Sequence, residues 1–183
     1  MEKSILFSLV SFKGDHLLVI GGLRANVNRL SDIELLTFDE NDNECSVPDL
    51  DETVEGHASV ASSRGVITCG GFRHHQTGEF RPSSKCSILY NGEVSSFPSM
   101  TMSRSDFGML NVNGTLYAIA GLTYLNAEPE SPYTMETINL KYGIKWEQEK
   151  IPFQVDNHCT VNIGSKIYVL GGLWEQHWVR EIV

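Results

Sequence analysis

Leu17-Leu18-Val19-Ile20-Gly21-Gly22 is an apolar run closed by two glycines, and it comes back three times. The returns are Val66-Ile67-Thr68-Cys69-Gly70-Gly71, Leu116-Tyr117-Ala118-Ile119-Ala120-Gly121 and Ile167-Tyr168-Val169-Leu170-Gly171-Gly172. The last glycines, Gly22, Gly71, Gly121 and Gly172, stand 49, 50 and 51 residues apart. A motif at so regular a period is one supersecondary unit repeated, each unit burying its apolar face on its neighbours. The run itself shows no polar alternation. Both of its faces are therefore expected to be buried, as in a strand packed between two layers.

Working outward, another strand precedes each run across a tight turn. These first strands read Ile5 to Ser11, Glu55 to Ala61, Ser105 to Val112 and Asn157 to Ile163. The turns are Lys13-Gly14-Asp15, Ser63-Arg64-Gly65, Asn113-Gly114 and Gly164-Ser165. Asn-Gly between β-type runs is a strong hairpin signal, and this role accounts for the glycosylation-like Asn113-Gly114-Thr115 as well. A third strand follows at Ile33 to Phe38, Lys85 to Tyr90 and Thr137 to Tyr142, with Phe38, Tyr90 and Tyr142 sharing one aromatic position. A fourth is expected near Cys45 to Val47, Val94 to Phe97 and Trp146 to Lys150. We label the four strands of each unit A to D.

The double glycine of strand B, the strand C aromatic and the strand D Trp146 together resemble kelch repeats. Arg104 matches the arginine, and His57-Ala58, Phe107-Gly108 and His158-Cys159 the His–small pair, that such repeats carry in strand A. Ala120 for a glycine, and a first strand A without the histidine, are departures. The resemblance implies an all-β, kelch-type β-propeller segment over 1–183, of about three and a half four-stranded antiparallel blades. The blades fall near 5–50, 54–100, 104–151 and, incomplete, 155–183. Propellers close with roughly four to eight blades. An open arc leaves apolar blade faces and a strand edge in water, so further blades or self-association are expected to complete it.

The chain has 183 residues, 41% of them hydrophobic, enough for a core. Its net charge of −9 disfavours nucleic acid and anionic membranes as partners. No apolar run reaches the length of a membrane helix. Met1 to Phe12 has a lysine and an apolar stretch but no small-residue cleavage site, and reads as a strand.

Little points to catalysis. The resemblance extends to propellers that include a copper oxidase, whose radical site draws tyrosine and histidine from several blades, and no matching cluster occurs. His74-His75 has Glu79 nearby but no spaced third ligand. His57 and His158 occupy equivalent positions, which argues for a repeated structural contact. No nucleophile elbow or phosphate loop is present. No catalytic residue, metal or cofactor is assigned. Cys69 in strand B and Cys86 in strand C belong to antiparallel neighbours. They read either as two small residues, one of them in the core, which fits the cytoplasm, or as a disulfide, which implies an oxidising compartment. Equating Cys86 with Glu34 and Ile138 of the other blades weakens the disulfide reading.

The long loops after strand B and the D–A connections share one face, and the opposite face carries tight turns. Long loops on a rigid scaffold are where binding usually resides. This face carries Arg24, Arg29, Arg73, His74, His75, Arg81, Arg104, Tyr124, Tyr133, Trp174, His177 and Trp178. Arg, Tyr and Trp are favoured at binding hot spots. Arg24, Arg29, Arg73 and Arg81 suit an acidic or phosphorylated peptide, except where Asp49, Asp51 and Glu52 neutralise them. The expected function is binding of a protein or peptide through this face. The other class implied by the resemblance is a secreted carbohydrate-binding module or galactose-oxidase-like enzyme.

Overall fold

The computed structural model describes residues 4–5, 7–12, 16–24, 28–37, 47–74, 80–125, 128–174 and 177–178. Every regular element in them is a β-strand. The first blade contains Ser4–Ile5 (β1), Ser8–Phe12 (β2), His16–Arg24 (β3) and Asn28–Thr37 (β4). The second contains Val54–Ser62 (β5), Gly65–His74 (β6), Phe80–Pro82 (β7), Cys86–Tyr90 (β8) and Glu93–Phe97 (β9). The third contains Gly108–Val112 (β10), Thr115–Ile119 (β11), Thr123–Leu125 (β12), Glu128–Glu130 (β13), Thr134–Asn139 (β14) and Glu147–Lys150 (β15). The fourth contains Cys159–Ile163 (β16), Lys166–Leu170 (β17), Leu173–Trp174 (β18) and His177–Trp178 (β19).

Blades two and three have the A-B-C-D order expected, β5-β6-β8-β9 and β10-β11-β14-β15. In blade one, β1 and β2 both pair with β3, so its strand A is interrupted. The strand expected at Cys45 to Val47 falls mostly outside the described residues. The fold is all-β, with small antiparallel sheets in sequence, as in a partial kelch-type propeller.

The core lies between blades. One cluster joins Val10, Leu18 and Ile20 of blade one to Val54, Val66 and Leu89 of blade two. A second joins Ile67, Cys69 and Phe97 to Phe107, Met109, Leu116 and Trp146 of blade three. A third joins Ile119 and Ala120 to Val155 and Val169 of blade four. This is why strand B is apolar on both faces.

The paired glycines follow from the same closeness. A Cβ on Gly70 would come within 2.5 Å of the Arg104 carbonyl oxygen and 2.6 Å of the Phe107 ring, both in the next blade. A Cβ on Gly71 would instead meet its own blade, Val54 Cγ2 at 2.6 Å and the Glu55 oxygen at 2.7 Å. Both glycines have positive φ, a conformation that costs a side-chain-bearing residue about 1 kcal/mol or more. The first glycine therefore fits the neighbouring blade and the second fits strand A. Gly71 N–H also donates to the Arg104 carbonyl at 2.7 Å, and Gly121 N–H to that of Val155 at 2.9 Å.

The register of strand C differs from the sequence expectation. The residue opposite Cys69 is Cys86, and the same rung holds Ile33 opposite Ile20 and Met135 opposite Ile119. Glu34 and Ile138 are not the equivalents of Cys86, and Tyr142 is not in the strand. The Asn139 side chain accepts from the backbone N–H of Lys141 and of Tyr142, forming a turn that carries Tyr142 out to solvent. The Cys86 position thus faces the interior in blades one and two, where Ile33 and Cys86 are buried. Cys69 and Cys86 sit face to face, Cα atoms 4.1 Å apart, and are joined in a disulfide inside the cluster shared with blade three.

Gly70→Ala is expected to lower unfolding stability by about 2 kcal/mol or more, through clash and positive φ together. Ala120→Gly, at the matching position of blade three, should change it by less than about 1 kcal/mol. Urea denaturation of both variants checks the asymmetry.

Candidate functional site

All four loops after strand B are themselves two-stranded hairpins. In blade one Leu23 pairs with Arg29 and Arg24 with Asn28. In blade two Arg73 pairs with Arg81 and His74 with Phe80. In blade three Tyr124 pairs with Pro129 and Leu125 with Glu128. In blade four Leu173 pairs with Trp178 and Trp174 with His177. Each ladder satisfies part of its own backbone, so a hairpin can project from the blade without leaving polar groups unmade.

The residues expected on this face have different fates. Arg104 is fully buried. Its Nε donates to Glu136 Oε1 at 3.2 Å, Nη1 to the carbonyls of Ala120 (2.7 Å) and Thr134 (3.1 Å), and Nη2 to Thr134 Oγ1 at 2.8 Å. Glu136, equally buried, also accepts from Thr101 N–H, Thr101 Oγ1 (2.7 Å) and Met102 N–H (3.0 Å). Arg104 is thus a structural residue at the start of the blade and not a surface contact. Burial pulls its pKa down, and the Glu136 charge opposes that shift.

Arg73 is also largely buried and pairs with Glu52 at 3.2 Å. Lys85 holds the other oxygen of the same carboxylate. Lys85 foremost, and Arg73 with it, keep the Glu52 carboxyl below its usual range. The internal neutralisation considered for this cluster is therefore what Arg73 undergoes. Arg81, its cross-strand neighbour, is exposed.

The aromatic residues remain at the surface. Tyr133 is 49% exposed, Trp174 47% and Trp178 76%. Tyr124 is half-buried, its ring edge-on to Phe72 with centroids 6.2 Å apart, and so bridges the hairpins of blades two and three. His177 is exposed. His75 lies outside the described residues, as do the side chains of Arg24, Arg29 and His74. Blades three and four are linked below their hairpins. Ser131 Oγ donates to Asp156 Oδ2 at 2.8 Å, and Asp156 exchanges backbone hydrogen bonds with Leu173.

His57 and His158 lie between blades. His57 Nε2 is 2.8 Å from Ser8 Oγ of the preceding blade. Burial pushes His57 down to about 4, and the Arg73 charge adds to this. Burial also pushes His158 down to about 4, against the pull of Asp156. Asp106, beside them, is pushed up to about 6, chiefly by burial, with Asp156 and Glu55 adding and a Ser105 hydrogen bond opposing. Both histidines are neutral packing groups at pH 7. Among the described residues no three His, Cys, Asp or Glu side chains are grouped to hold a metal. On the tight-turn face, a cavity of about 680 Å³ at the seam of blades one and two is lined by Leu18, Leu35, Val47, Ala61 and Leu89, with His16, Ser62 and Tyr90 among its polar lining.

Successive antiparallel sheets with hairpins on one face and tight turns on the other are the arrangement of a β-propeller segment, consistent with kelch-type repeats. Comparison with known proteins agrees. Kelch-like protein 40 of Xenopus tropicalis is 26% identical over 159 residues, covering 82% of this chain and 25% of that protein. Kelch-like protein 40a of Danio rerio is 24% identical over 152 residues, with 80% and 24% covered. Kelch-like protein 41a of Danio rerio is 23% identical over 159 residues, with 81% and 25% covered. These similarities support the kelch-repeat family for this chain, which spans about a quarter of the length of the curated relatives it matches. No family model matches the sequence.

Glu136→Ala should cost about 3–5 kcal/mol, because it strands the Arg104 charge in the core. The double variant Arg104→Met with Glu136→Leu should recover a large part of that loss. Chemical denaturation of the three proteins tests this, and equal losses in single and double variants would count against the pair as the cause.

Acid sensitivity follows from the histidines. Their folded pKa values lie below the unfolded one, so between about pH 4 and 6.5 the unfolded chain binds more protons at these sites and stability rises with pH. Asp106 works the other way between about pH 4 and 6, as one group against two. His57→Phe, which copies Phe107 of the equivalent position, should reduce the slope of stability against pH in this window by up to ~1.4 kcal/mol per unit. Denaturant titrations at pH 4.5, 5.5 and 7 measure it.

Proposed function

We propose that the chain is a non-catalytic protein-interaction module that binds a protein or peptide through its long-hairpin face. The observation that carries this reading is the exposure of Tyr133, Trp174 and Trp178 on hairpins or beside them, above blades whose cores are packed. Large aromatics supply wide contact area at small entropic cost and dominate interface energetics. The similarity to Kelch-like proteins supports the same class of function. An acidic or phosphorylated partner carries less of the reading than the aromatics do, because Arg73 of the four arginines is already engaged with Glu52.

The test is a set of face-specific substitutions read by the affinity of a partner identified with the unaltered protein. Tyr133→Ala with Trp174→Ala should weaken binding by about 30-fold or more, roughly 2 kcal/mol. Glu93→Arg, at the start of β9 beside the tight turn Asn91-Gly92 of the opposite face, should leave it unchanged. A further loss on Arg81→Glu would identify the partner segment as acidic. Binding that survives the aromatic pair and is lost with Glu93→Arg would move the site to the tight-turn face.

A further inference from the structure

Two neighbouring seams can be matched rung by rung. Ile33 faces Ile20 in blade one, Cys86 faces Cys69 in blade two, and Met135 faces Ile119 in blade three. Counting along the strands from these rungs, Leu18 and Leu35 of blade one correspond to Ile67 and Ile88 of blade two, and Leu89 of blade two to Ile138 of blade three. Strand D follows from the pairs Ile88 with Ser95 and Thr137 with Glu147, which make Val94 the equivalent of Trp146. The N–H groups of Leu50 and Met100 donate to the carbonyls of Ser31 and Ser84, which precede the rung residues Ile33 and Cys86 at the same distance in sequence. Val47 therefore corresponds to Phe97, and Pro48 to Pro98.

The seam of blades two and three is filled by rings. Ile67, Ile88, Phe97, Ile138 and Trp146 are all buried in one cluster, and the Trp146 ring N–H donates to the Pro98 carbonyl at 2.8 Å. In the seam of blades one and two, valines stand where these two rings do. Leu18 and Leu89 are buried there, but Leu35, Val47 and Val94 are only partly so. The cavity of about 680 Å³ lies at this seam, lined by Leu18, Leu35, Val47 and Leu89. These are the equivalents of Ile67, Ile88, Phe97 and Ile138. The hollow on the same face of the next seam is lined by turn residues such as Arg64, Asn113 and Lys141, and it reaches neither Phe97 nor Trp146. The cavity thus falls where two aromatic rings pack one seam further on.

Its size is within the roughly 300–1,000 Å³ of ligand pockets, and its walls are mainly apolar with a few polar groups, as such pockets are. We propose that the cavity binds a small aromatic molecule with a ring N–H donor, of the indole class, in place of the missing rings. A flat ring buries much apolar surface in such a space. The carbonyl of Pro48, next to the lining residue Val47, corresponds to the acceptor that Trp146 uses. His16, Tyr90 and Asn91, also in the lining, suit a polar substituent on the ring. The lining is made of strand side chains and of the turn residues Ser63, Asn91 and Gly92, a concave site and not a strand edge, so the occupant is a free molecule and not a peptide chain.

Indole itself is the probe. By calorimetric titration it should bind the chain at one site with a Kd below about 1 mM, and it should raise the midpoint of thermal unfolding. Val94→Trp, which copies blade three, should fill the space from within and weaken indole binding about tenfold or more, while the unfolding midpoint of the free protein holds or rises. Val47→Phe, which copies Phe97, is the milder filling and should weaken binding in the same direction, so misfolding of one variant leaves the other to decide. N-methylindole, which lacks the donor, should bind more weakly than indole. No heat and no stabilisation with indole at millimolar concentration overturns the site, as does binding that the filled variants retain. Equal affinity for the methylated ring overturns the Pro48 carbonyl as acceptor. A tryptophan-containing peptide that binds more tightly than indole, and is lost with Val94→Trp, would overturn the free molecule as occupant in favour of a segment of a partner protein.

Discussion

The start of blade three runs so close to the end of strand B in blade two that no Cβ fits at Gly70. The Arg104 carbonyl and the Phe107 ring occupy the space where a side chain on Gly70 would begin. Much of the structure follows from this contact. It demands glycine or a small residue at the end of strand B, and positive φ there turns the chain out of the blade. The turn releases the hairpins that form one face of the arc. The same closeness brings the apolar faces of neighbouring blades together, so the core is a series of seams and not a single centre. Stability in such a chain is divided among nearest-neighbour interfaces.

Seams hold the blades, and buried carboxylates hold the connections between them. In blade three Glu136 on strand C gathers Thr101, Met102 and Arg104 from the incoming connection. In blade two the polarity is exchanged: Glu52 lies on the connection, and the cations Arg73 and Lys85 come from the blade. The blade three arrangement is wholly buried, with several donors on one carboxylate, whereas Glu52 is partly in water. Screening makes the exposed version worth less. Arg73 and Arg104 are thus drawn inward, while Arg81 and the aromatic side chains of Tyr133, Trp174 and Trp178 meet solvent.

Four copies of an apolar run ending in glycine make the blades legible, because that pattern has a single geometric cause. The hairpin loops are legible as long loops on one face, but not as paired strands, since short ladders such as Tyr124 with Pro129 leave no alternation to read. The strand C register escapes the sequence for a definite reason. Tyr90 lies in its strand, while Tyr142 lies beyond a turn organised by Asn139, so aligning the two tyrosines displaces the whole strand. Arg104 reads as part of the binding face because its position along the chain belongs there. The missing information is Glu136, 32 residues away and brought beneath it by the sheet. A glutamate in the middle of strand C, with a kelch-like arginine upstream, is the available signal.

The position just before the small residue of strand A shows what the seam selects. It holds Phe7, His57, Phe107 and His158 in the four blades. Two are hydrocarbon rings and two are imidazoles held neutral by burial. The slot therefore fixes the shape of a flat ring and leaves its chemistry open, provided the ring carries no charge. A protonated imidazole there would lose its hydration with only part of it replaced, which is why acid should loosen the seams before it affects the exposed aromatics of the hairpins. Packing between blades and recognition on the hairpins are consequently separable: the seam can change chemistry at constant shape, and the hairpins can change shape over a constant seam. That separation lets one repeated scaffold carry four unlike hairpins, from the arginines of blade two to the tryptophans of blade four.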